Sequence, residues 1–86
     1  MASIYERLVK VVMDRLGVEP DQILPNSSLT HDLGADSIEM VELVMSIEDE
    51  FSDLSRVLQI PDEDMDKMVT IQDTVDYLRG LGIEDN

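Results

Sequence analysis

One serine of this chain, Ser37, stands where its hydroxyl could act as a nucleophile or as a point of covalent attachment. It directly follows Asp36, and the only histidine, His31, precedes both. Hydrolases combine these three residue types in a nucleophilic triad. Here, however, His31 lies in a turn-rich segment that offers nothing to orient its ring, and Asp36 is better suited to cap a helix. We therefore expect no catalytic residues, and we predict that the protein is not an enzyme.

A group of alternating acids could bind a metal ion. Asp62, Asp64 and Asp66 follow the spacing at the start of an EF-hand calcium loop. The sixth position of that loop would be Lys67, where glycine is needed, and the twelfth would be Asp73, where glutamate is favoured. We therefore expect no metal site, with a calcium-binding module as an alternative. There is no cysteine, which excludes disulfides and thiolate metal sites.

The composition predicts one small, strongly acidic domain spanning residues 1–86. Aromatic residues make up 3% of the chain, so the core must be mainly aliphatic. The net charge is −14, and residues 36–66 hold eleven acids but only one base, Arg56. Nucleic acid and anionic membranes are therefore poor partners, whereas a basic patch on another protein is a suitable one. No apolar run approaches the roughly 18 residues of a membrane span, and the start "MASIYERLVK" lacks a signal-peptide core. We expect a cytoplasmic monomer with no transmembrane segment.

Hydrophobic spacing and helix-capping residues predict an all-α fold. Helices are expected at 3–16, 36–51 and 71–80, and a short one is expected to begin at Pro61. The resulting architecture is a small four-helix bundle, with three main helices and a short third helix. A long first loop covers 17–35, and four apolar residues should attach it to the core: Ile23, Leu24, Leu29 and Leu33.

The helix predicted at 36–51 has apolar residues on two sides. One stripe is typical of a core-facing surface: Met40, Leu43, Val44, Ile47 and Phe51. A second stripe consists of Ile38, Val41 and Met45, and its neighbours include Glu42, Glu48 and Asp49. Spacing alone leaves open whether this second stripe docks a partner or is covered by residues 52–60.

Ser37 is predicted at the first position of this helix. The free amide groups and positive dipole end at a helix N-terminus favour an anion such as a phosphate ester. The hydroxyl should be exposed, because Gly34 and Ala35 place no bulk in front of it. Residue types alone favour the simpler interpretation, a serine that only begins a helix.

The stretch "LGADSIEMVELVMSIEDEF" resembles acyl carrier proteins of bacterial and plastid fatty-acid synthesis. The segments "YERLVKVVMDRLGV", "IPDEDMDKM" and "TIQDTVDYL" resemble the other helices of that family, so the similarity covers nearly the whole chain. The resemblance implies a four-helix bundle in which Ser37 is esterified with 4′-phosphopantetheine. The thiol of this arm carries acyl groups as thioesters to successive enzymes.

The resemblance also implies partners and a surface that meets them. The partners would be a phosphopantetheinyl transferase (holo-acyl-carrier-protein synthase) and the basic patches of fatty-acid-synthesis or acyltransferase enzymes. Seven residues match the family's docking positions, four acidic and three apolar: Asp36, Glu39, Glu42, Glu48, Ile38, Val41 and Met45. An unmodified protein-interaction module is an alternative.

Two features depart from the family pattern. Ile38 replaces the leucine that usually follows the serine, and the link between Phe51 and Ile60 is longer than usual. Within this link Leu54, Val57 and Leu58 keep helical spacing, which predicts an extra helical turn. The longer link raises the possibility of a specialised lipid, polyketide or peptidyl carrier, although the acidic helix favours the fatty-acid type.

Overall fold

The fold is built from short helices, as seen in a computed structural model that describes residues 3–53 and 56–84. Within these residues there are three α-helices, α1 (Ile4–Leu16), α2 (Ser37–Phe51) and α3 (Ile71–Gly80). Two 3-10 helices, Pro20–Gln22 and Asp62–Lys67, lie in the connections. The predicted all-α class is confirmed, and the short helix expected after Pro61 is the second 3-10 helix. No helix in the described ranges combines the length and apolar character needed to cross a membrane.

Each α-helix begins with a reciprocal capping box, in which a side chain and a backbone amide bond in both directions. In α1, the Ser3 hydroxyl accepts from the Glu6 amide at 3.1 Å, and in α3 the Thr70 hydroxyl accepts from the Asp73 amide at 3.0 Å. These bonds satisfy amides that have no partner within the helix, and each cap stabilises its helix by roughly 1 kcal/mol. The caps therefore fix where each helix starts.

The core lies where α1 packs against both α2 and α3. Because α2 turns its predicted core stripe towards α1, all five residues of that stripe are buried. Ile4, Leu8 and Val12 of α1 meet it, and Ile71, Val75 and Leu78 complete the core from α3. The apolar residues that sequence periodicity assigned to the interior of α3 are thus confirmed.

Backbone hydrogen bonds attach the long first loop to the chain that leads into α3. The Leu29 amide donates to the Val69 carbonyl at 3.0 Å, and the Ile71 amide donates to the Ser27 carbonyl at 3.1 Å. Ile23, Leu29 and Leu33 are buried as predicted, but Leu24 is 57% exposed. The prediction for Leu24 was wrong because Ile23 is extended, and successive side chains of an extended chain point in opposite directions.

The predicted extra helical turn after α2 is wrong for the residues that can be described. Asp53 and Arg56 form an antiparallel bridge, in which the Asp53 amide donates to the Arg56 carbonyl at 2.8 Å. The following residues, 57–60, are not helical. Val57 is exposed whereas its neighbour Leu58 is buried, and both lie in this non-helical segment. Leu54, the third residue of that prediction, lies outside the described residues.

The chain that follows α3 is anchored to that helix in its described part, 82–84. Ile83 is buried, and its amide donates to the Leu78 carbonyl at 3.2 Å. The Arg56 guanidinium also donates to the Leu81 carbonyl at 2.7 Å, which ties the link after α2 to the end of α3. Residues 85–86 lie outside the described ranges.

Candidate functional site

Ser37 is the first residue of α2, and its side chain is exposed. Asp36 caps the helix: its Oδ1 atom accepts from the Glu39 amide at 2.8 Å, and Glu39 Oε1 accepts from the Asp36 amide at 3.2 Å. This capping box confirms the sequence prediction for Asp36 and Glu39. It fixes the direction in which the first turn of α2, and therefore the Ser37 hydroxyl, leaves the loop.

The loop before Ser37 is held close to the core without enclosing the hydroxyl. Ala35 is buried, and its amide donates to the Leu29 carbonyl at 2.9 Å. Gly34 has a φ of 78°, which favours glycine, and a Cβ atom added there would meet nothing within 4 Å. The backbone before Ser37 is therefore anchored to the core at Ala35, while the space beside Gly34 is open.

The amide groups at the start of α2 suit an anion on the Ser37 oxygen. The first amides of an α-helix have no acceptor within the helix. Glu39 donates to the Asp36 side chain and Met40 to the Asp36 carbonyl, which leaves the amides of Ser37 and Ile38 without a partner in the helix. A phosphodiester attached to the serine would lie near these amides and near the positive end of the helix dipole.

An open groove of about 460 Å³ begins beside Ser37 and runs between α2 and the second 3-10 helix. Most of its wall is apolar, and methionine supplies three of its lining residues. Methionine has a flexible, unbranched side chain that can repack around ligands of different shape. The lining residues are Thr30, Ser37, Met40, Val41, Met65, Asp66, Met68 and Val69.

The sequence from residue 6 to residue 78 matches the family model of the phosphopantetheine attachment site. The chain belongs to this phosphopantetheine-attachment family. Members are carrier proteins without catalytic activity, which hold 4′-phosphopantetheine covalently. The predicted family, the predicted cofactor and the prediction that the protein is not an enzyme are thereby confirmed. The partners of a phosphopantetheine carrier include a phosphopantetheinyl transferase and the enzymes to which the carrier presents its arm.

The second apolar stripe of this carrier is exposed on α2. Ile38 is 70% exposed, Val41 48% and Met45 58%. Asp36 and Glu42 are also exposed, which places carboxylates beside the stripe. Spacing had left burial beneath residues 52–60 open as an alternative, and the exposure of these three side chains decides against it.

Glu48 differs from the other acidic residues expected to meet partners. Its side chain is partly buried, and its Oε2 atom accepts a hydrogen bond from the Ile60 amide at 2.6 Å. Glu39 is also only partly exposed, because it takes part in the capping box. Both carboxylates thus have partners inside the carrier, which sequence spacing did not reveal.

The triad suggested by residue types is not assembled. His31 is exposed, and its backbone amide donates to the Ser28 hydroxyl at 3.1 Å. Within the described residues, no hydrogen bond joins the His31 ring to Ser37 or Asp36. This agrees with a carrier protein that has no catalytic activity of its own.

The alternating acids at 62–66 form part of the second 3-10 helix instead of a calcium loop. Asp64 accepts a hydrogen bond from the Tyr77 hydroxyl at 2.5 Å and pairs with Lys67 at 3.2 Å. These hydrogen bonds, that of Tyr77 above all, lower the pKa of Asp64, and burial together with Asp64 raises the pKa of Tyr77 to about 12. Among the described residues, no group of three or more histidine, aspartate or glutamate side chains is arranged to hold a metal ion.

Sequence reasoning missed the wall of the groove beside Ser37. Met65, Met68 and Val69 come from the connection before α3, where no regular periodicity marks a ligand-facing side. The only signal in the sequence was the presence of six methionines, which core packing would explain equally well.

Proposed function

We propose that Ser37 is the attachment residue for 4′-phosphopantetheine and that the protein is an acyl carrier of the fatty-acid-synthesis type. The observation that carries this proposal is the position of Ser37. Its exposed hydroxyl lies at the capped start of α2 and at the edge of an apolar groove. In such a protein the arm supplies a thiol that takes the acyl group as a thioester.

The residues around Ser37 would position the hydroxyl and leave its activation to the transferase. Attachment forms a bond between the serine oxygen and the pantetheine-side phosphorus of coenzyme A. It breaks the pyrophosphate bond, and it releases adenosine 3′,5′-bisphosphate and the serine proton. Among the described residues, no side chain that could act as a base accepts a hydrogen bond from the Ser37 hydroxyl. The serine proton would therefore pass to a group of the transferase. The Asp36 cap holds the first turn rigid, and the Ser37 and Ile38 amides stabilise the phosphodiester.

The methionine-lined groove supports an apolar acyl group as the cargo. An alkyl chain that folds back from the arm could leave water by entering between Met40 and Met68. Each methylene group buried in this way stabilises the loaded form by about 0.8 kcal/mol. The acidic α2 also favours fatty-acid-type partners over a peptidyl, polyketide or other specialised pathway.

We further propose that the carrier is a cytoplasmic monomer.

The exposed face of α2 is the proposed docking surface for partner enzymes. Its apolar centre would be buried against a partner, and its carboxylates would meet basic residues. It consists of the exposed residues Asp36, Ile38, Val41, Glu42 and Met45, together with the partly buried Glu39 and Glu48. An unmodified interaction module would use the same face but would never acquire the arm.

Intact mass spectrometry after incubation with coenzyme A and a phosphopantetheinyl transferase tests the attachment site. A single addition of about 340 Da is expected, and Ser37→Ala should abolish it. Ser46→Ala is the matched control, because Ser46 lies on the same helix and its hydroxyl donates to the Glu42 carbonyl. An addition that persists in Ser37→Ala would refute the assignment of Ser37.

Thermal unfolding of loaded forms tests the class of cargo. Forms that carry acetyl, octanoyl and palmitoyl thioesters should unfold at increasing temperatures, because longer chains bury more methylene groups. An aminoacyl thioester should give no increase beyond that of the acetyl form. Equal unfolding temperatures for all acyl lengths would argue against an acyl-binding groove and in favour of another kind of carrier.

A further inference from the structure

The wall of the groove beside Ser37 that lies opposite α2 belongs to the second 3-10 helix, Asp62–Lys67. This helix has six residues. Runs of 3-10 helix longer than about four residues are uncommon, because their backbone hydrogen bonds have poorer geometry than those of an α-helix. The helix packs on α3, and the groove separates it from α2. Its position therefore depends on side-chain contacts with α3 as well as on its own backbone.

A hydrogen bond between Tyr77 and Asp64 ties this wall to α3. The Tyr77 hydroxyl donates to Asp64 Oδ2 at 2.5 Å, and both side chains are half-buried. A bond from a hydroxyl to a carboxylate is charge-assisted and is stronger than a bond between neutral groups. The ion pair between Asp64 and Lys67 lies within the 3-10 helix, and the Lys67 side chain is 64% exposed. That ion pair contributes little and cannot attach the helix to α3.

The tie and the groove wall lie on different sides of the same helical turn. Successive side chains of a 3-10 helix are about 120° apart. Asp64 meets Tyr77, whereas the next two residues, Met65 and Asp66, line the groove. Met68 also lines the groove, and its amide donates to the Met65 carbonyl at 3.1 Å. A movement of Asp64 away from α3 would therefore carry the methionine wall with it.

Both ends of the wall are fixed by other hydrogen bonds. Before it, the Ile60 amide donates to the Glu48 carboxylate at 2.6 Å, and after it, the Val69 carbonyl accepts from the Leu29 amide at 3.0 Å. Within the described ranges, the backbone of residues 61–68 forms backbone hydrogen bonds only with itself. Loss of the tie to α3 would therefore release the middle of the wall while its ends stay attached.

We propose that Tyr77 is a positioning residue for acyl binding, because its hydrogen bond to Asp64 holds the methionine wall in place before an acyl chain enters. This proposal rests on the acyl-carrier function proposed above. When the wall is already ordered, an entering chain costs the protein little conformational entropy. Without the tie, the chain would have to order the wall as it binds. The groove would remain, but the stabilisation that depends on chain length would be smaller.

Thermal unfolding of the acetyl and octanoyl forms of each variant separates positioning from general stability. The measured quantity is the difference in unfolding temperature between the two forms, in which a destabilisation common to both largely cancels. Tyr77→Phe should reduce this difference by about half or more. Tyr5→Phe is the matched control, because Tyr5 is the other tyrosine of the chain and its hydroxyl bonds no described residue. Equal differences in the two variants would overturn the proposal.

Methionine methyl NMR of the unmodified full chain tests the tie without any cargo. Tyr77→Phe and Asp64→Ala should each shift or broaden the signals of Met65 and Met68, whereas the signal of Met13 on α1 should stay unchanged. The double variant should match either single variant, because both changes remove the same bond. Unchanged Met65 and Met68 signals, or additive effects, would overturn the proposal. Because this measurement needs no prosthetic arm, its failure is distinguishable from a failure of the proposed carrier function, which the parent acyl forms test.

Discussion

Glu48 Oε2 accepts a hydrogen bond from the Ile60 amide at 2.6 Å, and this bond joins the end of α2 to the chain that enters the second 3-10 helix. Ser52, one turn later, adds a second bond by accepting from the Leu58 amide. Together these side chains hold the longer link against α2. Glu48 therefore has a structural role in addition to any part in docking.

Replacement of Glu48 should reduce stability, unlike replacement of the exposed Glu42. Glu48→Lys removes a charge-assisted acceptor and leaves the Ile60 amide unpaired, which should lower the free energy of unfolding by about 1–2 kcal/mol. Glu42→Lys should change it by less than about 0.5 kcal/mol. Urea denaturation followed by circular dichroism measures both. Equal denaturation midpoints for the two variants would show that the Glu48–Ile60 bond contributes nothing.

Charge reversal at Glu42 should slow phosphopantetheinylation while the fold stays intact. The exposed carboxylate lies beside the apolar stripe, so a lysine there would repel a basic partner, mainly through the association rate. Initial rates of mass addition at low and high salt measure this effect. Asp76→Lys, on α3, is the control for net charge and should retain the parent rate within about twofold. Equal rates of phosphopantetheinylation for Glu42→Lys and this control would show that Glu42 does not contribute to docking.

The Tyr77–Asp64 hydrogen bond predicts a loss of stability at alkaline pH. The pKa of Tyr77 is raised from 10.0 to about 12, so the unfolded chain releases the phenolic proton first. The stabilisation is therefore complete below pH 10 and is lost as pH rises towards 12. Tyr77→Phe should remove this loss, and ultraviolet titration should show the highest phenol transition disappearing in that variant. An unchanged alkaline unfolding curve in Tyr77→Phe would contradict the prediction.

The same bond acts with the opposite sign in acid. The Tyr77 and Lys67 hydrogen bonds lower the pKa of Asp64 below its usual 3.8. The contribution of Asp64 to the free energy of unfolding is therefore present above pH 3.8. It is lost as the pH falls through the lowered pKa of Asp64 in the folded state. In Asp64→Asn, the free energy of unfolding should fall less steeply with decreasing pH than it does in the parent protein. Asp62→Asn, two residues earlier in the same 3-10 helix, is the matched control.

Two glycine substitutions should change stability in opposite directions. Gly34→Ala places a side chain at a φ of 78°, where an L-residue is strained by about 1–2 kcal/mol, although the added Cβ meets no atom. Gly80→Ala, in the last turn of α3, also meets no atom and should stabilise by about 0.5–1 kcal/mol. Thermal unfolding measures both changes. Destabilisation by Gly80→Ala would indicate that the end of α3 needs glycine, which its conformation does not suggest.

The order of the helices and the position of Ser37 at the start of α2 could be predicted because their determinants are local. Asp36 and Glu39 stand three residues apart, which suffices to define the start of α2 and to place Ser37 at its first position. Helical periodicity likewise separated the core stripe from a second stripe, Ile38, Val41 and Met45, whose exposure was decided by the structure. Such patterns depend on the geometry of a single helix, so they are readable without knowledge of its neighbours.

Only the tertiary structure decided how the connections lie, since their contacts join residues far apart in the chain. Glu48 binds Ile60, Arg56 reaches Leu81, and Met65 and Met68 approach Ser37 from beyond the link. No local spacing records these contacts, so the predicted extra turn was wrong and the residues that line the groove beside Ser37 were not foreseen. In extended connections the direction of each side chain is set by packing against distant elements, whereas within a helix it is set by the helix itself.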